Sequence, residues 1–494
     1  MLQISNLSLS FGKQVLFDEA EIKMGNRERV GLVGLNGSGK TTLFKMLTGE
    51  MEAEDGHIKF PKNYSIGYLK QHLGFTEKTV LEEACLGLKE DDIHNVWKAE
   101  KILSGLGFSQ EDFDRSPAEF SGGYQVRLNL AKVLVNEPDL LLLDEPTNYL
   151  DIISIRWLTK FLKKWPHELI IITHDRAIMN SVTTHTMLIH RQKIKKIPGD
   201  TVKLYEQIAS EEELYERTVV NEQKSRKKTE EFINRFRAKA SLATMVQSRV
   251  KALEKRGVKK ELSKIQSLDF EFKAAPFNSK QLMRVNNVSF GYTPEQKLID
   301  KLSVSIQHDD RIAIIGKNGK GKSTLLRMLA GHLEPTEGEI TCHPNCSRGY
   351  FGQTNIEQLS PERTIEQELE TTRSGLTHSE VRGAAGAMMF SGGLALKKIS
   401  VLSGGEKSRV SLAKILLTPT NFLLLDEPTN HLDMESCDSL MAAIDSFSGA
   451  AVIVTHNELL LHHFAKRLIV FNAGEAFLFE GTYQSFLKTI GWEE

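Results

Sequence analysis

The chain has 494 residues with 63 basic and 64 acidic side chains, a net charge of −1, so it exceeds one ordinary domain of roughly 100–200 residues and excludes a partner chosen by overall charge; any basic surface must be local. Its four cysteines, Cys85, Cys342, Cys346 and Cys437, form no disulfide framework and fit a reducing compartment. No apolar run approaches the roughly 20 residues that a membrane helix needs, and residues 1–10 lack the basic and apolar regions of a signal peptide, so a cytoplasmic chain that is no transporter by itself is expected.

In chain order, residues 28–33 read as a buried strand that runs into the loop GLNGSGKTT over 34–42, and residues 41–47 open a helix. The pattern G-x-x-x-x-G-K-[ST] after a strand is a phosphate-binding loop. Its glycines let backbone N–H groups close around phosphate oxygens, and the helix points its positive end at them. Gly34, Asn36, Gly37, Gly39, Lys40, Thr41 and Thr42 are therefore candidate nucleotide contacts. Lys40 reaches the β- and γ-phosphates, and Thr41 offers a hydroxyl to Mg2+. Ser121, Gly122 and Gly123 begin a helix whose glycines allow an anion close to the backbone. Short apolar strands follow at 140–143 and 169–172. Asp144 ends the first and is placed to hold Mg2+ through its water shell, while Glu145 is placed to polarise an attacking water as general base. His174 follows the second run and is placed to contact the γ-phosphate.

The whole series returns with one offset. Lys322 stands 282 residues after Lys40, and the same interval separates Gln71 from Gln353, Ser121 from Ser403, Glu145 from Glu427, His174 from His456 and Gly199 from Gly481. The second loop supplies Gly316, Asn318, Gly319, Gly321, Lys322, Ser323 and Thr324. Ser403, Gly404 and Gly405 open the second glycine-headed helix, and Asp426 and Glu427 form the second carboxylate pair. Chance does not hold one offset across motifs this different, so the chain is a duplicated domain of about 210 residues. Each copy reads as α/β, a largely parallel sheet with helices against it. The expected boundaries are 1–210 and 282–494, with a separate segment at 211–281 and no C-terminal extension.

That segment is rich in helix formers, has no proline between 211 and 268, and has glycine only at Gly257. Lys224, Arg226, Lys227, Lys228, Arg235, Arg237, Lys239, Arg249, Lys251, Lys255, Arg256, Lys259 and Lys260 outnumber Glu222, Glu230, Glu231 and Glu254. Phe232 and Phe236 share one helical face, and Val246, Val250 and Leu253 another. Two antiparallel helices with a bend at 239–244 are expected, each about 28 residues and roughly 40 Å long. A basic excess on exposed helices is the footprint of RNA binding, with a solvated spacer as the alternative. Leu242, Met245 and Val246 make the tip partly apolar. Cys342, His343 and Cys346 read as residues of a turn beside Pro344, because no second ligand pair completes a zinc site.

The SGG helix starts resemble the signature motifs of the ATP-binding-cassette superfamily. Beside them stand what resemble its Q-loops (Gln71, Gln353), D-loops (Asp151, Asp433) and switch histidines. The resemblance implies that ATP and Mg2+ bind, with Gln71 and Gln353 near the metal, and that two ATP molecules are sandwiched head to tail. One site would join Lys40, Glu145 and His174 with Ser403 and Gly405. The other would join Lys322, Glu427 and His456 with Ser121 and Gly123, and both are expected to be competent. Phe11 and Tyr292 occupy the superfamily's adenine-stacking place, core packing being the alternative.

DEPTNYLD at 144–151 and DEPTNHLD at 426–433 resemble the hallmark of the ABC-F subfamily, and so do two cassettes on one chain with a charged helical linker. Tyr149, Phe120 and Asn457 depart from its usual His, Leu and Asp. The resemblance implies a monomeric translation factor. In its closed, ATP-bound form it would bind the ribosome near the exit-tRNA site and touch ribosomal RNA or tRNA through the linker. A housekeeping role is favoured over antibiotic protection. The energy module of a multi-subunit transporter and a DNA-associated ATPase are the rival readings.

Overall fold

The computed structural model describes residues 2–12, 14–69, 74–236, 268, 270–293, 297–430, 432–472 and 475–492. Each half builds a six-stranded sheet. In the first, the strands lie in the order Ile66–Tyr68, Leu140–Asp144, Glu168–Ile172, Arg29–Val33, His185–His190 and Lys193–Pro198. All neighbours are parallel except the last pair. The second half repeats the order with Arg348–Phe351, Phe422–Asp426, Ala450–Val454, Arg311–Gly316, Arg467–Asn472 and Glu475–Phe479. Helices cover both faces of such a sheet, so its strands are continuous apolar runs rather than alternating ones. Leu140 to Leu143 and Leu423 to Leu425 are accordingly inaccessible to solvent.

Each half also carries a three-stranded antiparallel sheet that the motif reading did not anticipate: Gln14–Met24, Leu2–Phe11 and Asp55–Lys59 in the first, and Ile299–Gln307, Gln281–Phe290 and Glu337–Cys342 in the second. Leu2, Ile4, Leu7 and Leu9 turn inward to one core with Phe17, Ile22 and Phe44. The break between Ile4 and Leu7 comes from a register shift in both pairings of that strand, which hides its alternation from a simple period-two reading.

The two halves together form one compact unit, and the described residues from 199 to 236 belong to the other. Within the smaller unit a single helix, Thr201–Phe236, runs through the expected domain boundary at 210 without a break. Lys224, Lys227 and Lys228 on it are exposed. The expected bend at 239–244 and the second linker helix lie outside the described residues. After them the chain is anchored by Leu268, Phe270 and Phe272, buried in the second half's core, and Ser439 Oγ donates to the Leu268 carbonyl at 2.7 Å. All four cysteines are free. Cys342 ends its strand, and the next residue, His343, accepts a turn hydrogen bond from the Asn345 N–H at 3.2 Å.

Candidate nucleotide sites

Each phosphate loop connects a central strand, Arg29–Val33 or Arg311–Gly316, to a helix that begins at Lys40 or Lys322. Gly39 and Gly321 cap those helices at φ 101° and 103°, a conformation that side chains with a Cβ rarely adopt. A Cβ on Gly39 would also sit 2.9 Å from Phe17 Cζ. Lys40 Nζ donates to the carbonyls of Gly34 (2.7 Å) and Leu35 (3.1 Å). Lys322 Nζ donates to those of Gly316 and Lys317, both at 2.9 Å. Burial lowers the pKa of both lysines, that of Lys322 to about 8. An ammonium desolvated in this way gains strongly from a polyanion.

At the head of each loop helix, Thr41 Oγ1 donates to Asp144 Oδ2 at 2.8 Å and Ser323 Oγ to Asp426 Oδ1 at 3.1 Å. Burial raises the pKa of both aspartates. A partly desolvated, oxygen-only donor set of this kind fits a hard divalent cation. Glu145 and Glu427 follow in left-handed backbone, φ 49° and 45°, which costs of order 1 kcal/mol each and is concentrated at functional positions. Their N–H groups are held by Ile172 O and Val454 O at 2.9 Å, one step beyond the sheet ladder. His174 Nε2 lies 3.0 Å from Glu145 Oε1, and His456 Nε2 lies 3.5 Å from Glu427 Oε1 and 2.9 Å from Asn318 Oδ1. Burial lifts Glu427 to about 8 and drops His456 well below its ordinary value. At neutral pH this pair is thus a neutral imidazole beside a mostly protonated carboxyl. Glu427 Oε1 is buried without a hydrogen-bond partner, which suits a polar group brought by substrate or water.

The two halves meet through their D-loops. The Asn36 N–H donates to Asp433 Oδ2 at 3.2 Å, and Asn318 Nδ2 to the Tyr149 carbonyl at 3.4 Å. Each phosphate loop therefore touches the opposite half. Asp151 and Asp433 also cap helices Ile152–Lys163 and Met434–Ser446 through Ser154 N and Ser436 N. A cavity of about 530 Å3 is lined from the second half by Tyr292, Lys322, Asp426, Glu427 and His456, and from the first by Asn148 and Leu150. A smaller one, about 40 Å3, is lined by Glu145, His174, Glu427 and His456 together. Phe11 and Tyr292 are 52% and 64% exposed, so neither serves core packing. Tyr292 stands edge-on to Phe290, with its hydroxyl 3.4 Å from Thr324 Oγ1.

The signature helices start where expected, Gly122–Val135 and Gly404–Leu416. Ser403 makes a capping box with Glu406, whereas Ser121 makes no side-chain cap bond, and Tyr124, standing where Glu406 does, has no carboxylate to return the reciprocal bond. A Cβ on Gly123 would lie 3.9 Å from Tyr149, so this helix start abuts the D-loop that reaches Asn318. Gln353 opens a short helix, Gln353–Glu357, and Gln71 lies outside the described residues. The three family departures fit locally. The Tyr149 backbone makes the D-loop contact, Phe120 packs on Phe108 and Arg115, and Asn457 caps its helix through Leu460 N as Asp175 caps its own through Ala177 N and Ile178 N.

Sequence reasoning missed Arg127. It is 1% exposed, donates to Tyr149 O at 2.9 Å and Leu106 O at 3.0 Å, and pairs with Asp151 at 3.4 Å. It ties the signature helix to the D-loop. Its one sequence signal was a counterpart, Arg409, at the repeat offset.

Two glycine-looped cassettes with paired carboxylates and histidines, in contact through their D-loops, define a tandem ATP-binding-cassette ATPase. A family model described as ABC transporter matches residues 17–148 and 299–430, and a second of the same description matches residues 187–272. The chain is 34% identical over 522 residues to ATP-binding cassette sub-family F member 3 of Rattus norvegicus, spanning 98% of this chain and 73% of that protein. It is 33% identical over 531 residues to the ATP-binding protein YheS of Escherichia coli (strain K12), spanning 100% of this chain and 83% of the relative. The chain belongs to ATP-binding cassette sub-family F. Among solved structures, the RNase-L Inhibitor matches with a TM-score of 0.65 and 19% identity over 99% of this chain and 93% of the other. Archaeal ribosome recycling factor aABCE1, in complex with ribosomal stalk protein aP1, matches with a TM-score of 0.65 and 19% identity over 98% and 92%. Among the described residues no helix is long and apolar enough to cross a membrane.

Proposed function

We propose that this chain is a ribosome-binding translation factor that clasps two ATP molecules between its cassettes, acts near the exit-tRNA site while closed, and is released when hydrolysis opens it. The observation that carries the reading is the reciprocal contact of each phosphate loop with the opposite D-loop, because ATP bound there joins the halves and its hydrolysis separates them. Lys40 and Lys322 hold the β- and γ-phosphates with the loop N–H groups of Gly37, Gly39, Gly319 and Gly321. Phe11 and Tyr292 stack on adenine, and base–aromatic stacking contributes roughly 1–3 kcal/mol. Glu145 and Glu427, in their ionised form, accept a proton from the attacking water; burial raises Glu427 above the ordinary carboxylate range, so once ionised it is a stronger base than an exposed carboxylate. His174 and His456 orient the γ-phosphate, and Ser121, Gly123, Ser403 and Gly405 complete each site from the other half. Thr41 with Asp144, and Ser323 with Asp426, aided by Gln71 and Gln353, would hold Mg2+, which supplies charge neutralisation at the phosphates when bound. The exposed lysines of helix Thr201–Phe236 and the basic run beyond it support RNA as the partner, since Lys and Arg on a helix neutralise backbone phosphates. That a solved fold neighbour is a ribosome recycling factor supports the same direction.

The test is Glu145→Gln with Glu427→Gln, which leaves ATP bound and unhydrolysed. On a sucrose gradient with ATP, this variant is expected to travel with ribosomes and to leave them when ATP is omitted. A variant that binds ATP yet stays at the top of the gradient, or pellets with membranes, overturns the reading.

A further inference from the structure

Among the described residues, two ion pairs join the halves away from the nucleotide sites. Arg156 Nε lies 3.4 Å from Glu458 Oε1, and Arg176 Nη2 lies 2.5 Å from Asp438 Oδ2. The repeat offset of 282 makes Asp438 the counterpart of Arg156 and Glu458 the counterpart of Arg176. Local structure agrees. Arg156 and Asp438 each stand five residues after the capping aspartates, Asp151 and Asp433. Arg176 and Glu458 each open the helix after the switch histidine, Arg176–Val182 or Glu458–Phe464. The two ion pairs are therefore one contact made twice about the pseudo-two-fold axis, with the charges sorted by half. The first cassette supplies the cation both times, and the second supplies the anion both times.

Helix electrostatics does not account for this sorting. A carboxylate at a first helical position, as in Glu458, is favoured by the helix dipole, but a cation there, as in Arg176, opposes it. The D-loop contacts carry no such sorting of charge, since the Asn36 N–H donates to Asp433 and Asn318 Nδ2 to the Tyr149 carbonyl, while both halves present the same Asp-Glu-Pro-Thr-Asn segment and capping aspartate. A pair of first cassettes would bring Arg156 against Arg176 twice. A pair of second cassettes would bring Asp438 against Glu458 twice. Like charges facing each other across an interface disfavour a wrong partner more than the matched pair favours the right one.

We propose that Arg156, Arg176, Asp438 and Glu458 make the closing interface selective for unlike halves, so that a first cassette takes a second cassette and rejects another copy of itself. This rests on closure between cassettes but not on what the closed protein binds. In a cell holding many copies of the chain, the sorting keeps each clasp with its correct mate.

The test uses the full chain. Three variants are compared: Arg156→Glu with Arg176→Glu, Asp438→Arg with Glu458→Arg, and all four together. Each double is expected to lose about three- to tenfold in ATPase rate at low salt, with the loss shrinking as salt rises, and the quadruple variant is expected to regain most of it. In a Glu145→Gln, Glu427→Gln background with ATP, the two doubles mixed in equal amounts are expected to form dimers that neither forms alone. Tyr483 donates to Glu458 at 3.1 Å, so Arg176→Asp with Asp438→Arg serves as a narrower swap that leaves that packing intact. Binding of a fluorescent ATP analogue, measured alongside, separates loss of pairing from loss of the nucleotide sites. Doubles as fast as the wild type at low salt, a quadruple as slow as the doubles, or a mixture that stays monomeric would each overturn the proposal.

Discussion

Asp175 and Asn457 occupy equivalent places, and the difference between them can be weighed. Asp175 Oδ1 accepts from Ala177 N at 2.8 Å and Ile178 N at 3.1 Å. Burial, with the nearby negative charges of Glu458 and Glu145, nevertheless pushes its pKa up to about 6 from an ordinary 3.8. A carboxyl raised in the folded state contributes stability that is complete below about pH 4 and is lost as pH climbs through 6. Two units correspond to about 3 kcal/mol, and residual solvent access lowers the expectation to about 2 kcal/mol. Asp175→Asn keeps the cap, as Asn457 does, and carries no charge. The variant should melt roughly 4–8 °C above the wild type at pH 8, at about 2–4 °C per kcal/mol for a domain of this size. About half of that gap should remain at pH 5. Calorimetry from pH 5 to 8 measures it. A gap that stays constant across this range, or an Asn variant that is less stable at pH 8, would refute the argument.

Replacing Arg127 with Met leaves the buried Asp151 charge without its cation and removes a donor from the Tyr149 and Leu106 carbonyls, and should cost about 3–5 kcal/mol in urea unfolding. Adding Asp151→Asn should recover part of the stability but not the ATPase rate, because the D-loop stays unanchored. Tyr292→Ala should weaken binding of fluorescent ATP about tenfold, whereas Tyr292→Phe should change it less than twofold. Lys322→Ala should abolish binding at the second site, seen in titration as one nucleotide per chain instead of two.

The nucleotide sites were legible in the sequence because their chemistry is local. A loop, a strand end and a helix start each carry their residues within a few positions, and the repeat fixed which matched which. Contacts built by tertiary geometry were not legible. Arg127 lies on the buried face of a helix and is recognisable only once Tyr149 and Asp151 are beside it. Register shifts interrupt the alternation in the central strand of the first antiparallel sheet, and of the second sheet only residues 284–290 read as a strand. The boundary at 210 was placed by subtracting motif positions, which cannot see a helix that carries on through it. The cap difference between Ser121 and Ser403 was present as Tyr124 against Glu406, but it acquires meaning only with the helix starts in place.

Glu145, His174, Glu427 and His456 share the walls of one small chamber between the two halves. If these residues carry hydrolysis as proposed, the two reaction centres are neighbours that share one cavity wall, with nothing but that cavity between the four side chains. Disabling one centre should accordingly leave a steady-state velocity that differs from half of the original, and the nucleotide-concentration curve should depart from a simple hyperbola. Such an engine behaves as a coupled two-stroke unit rather than as a pair of independent cylinders.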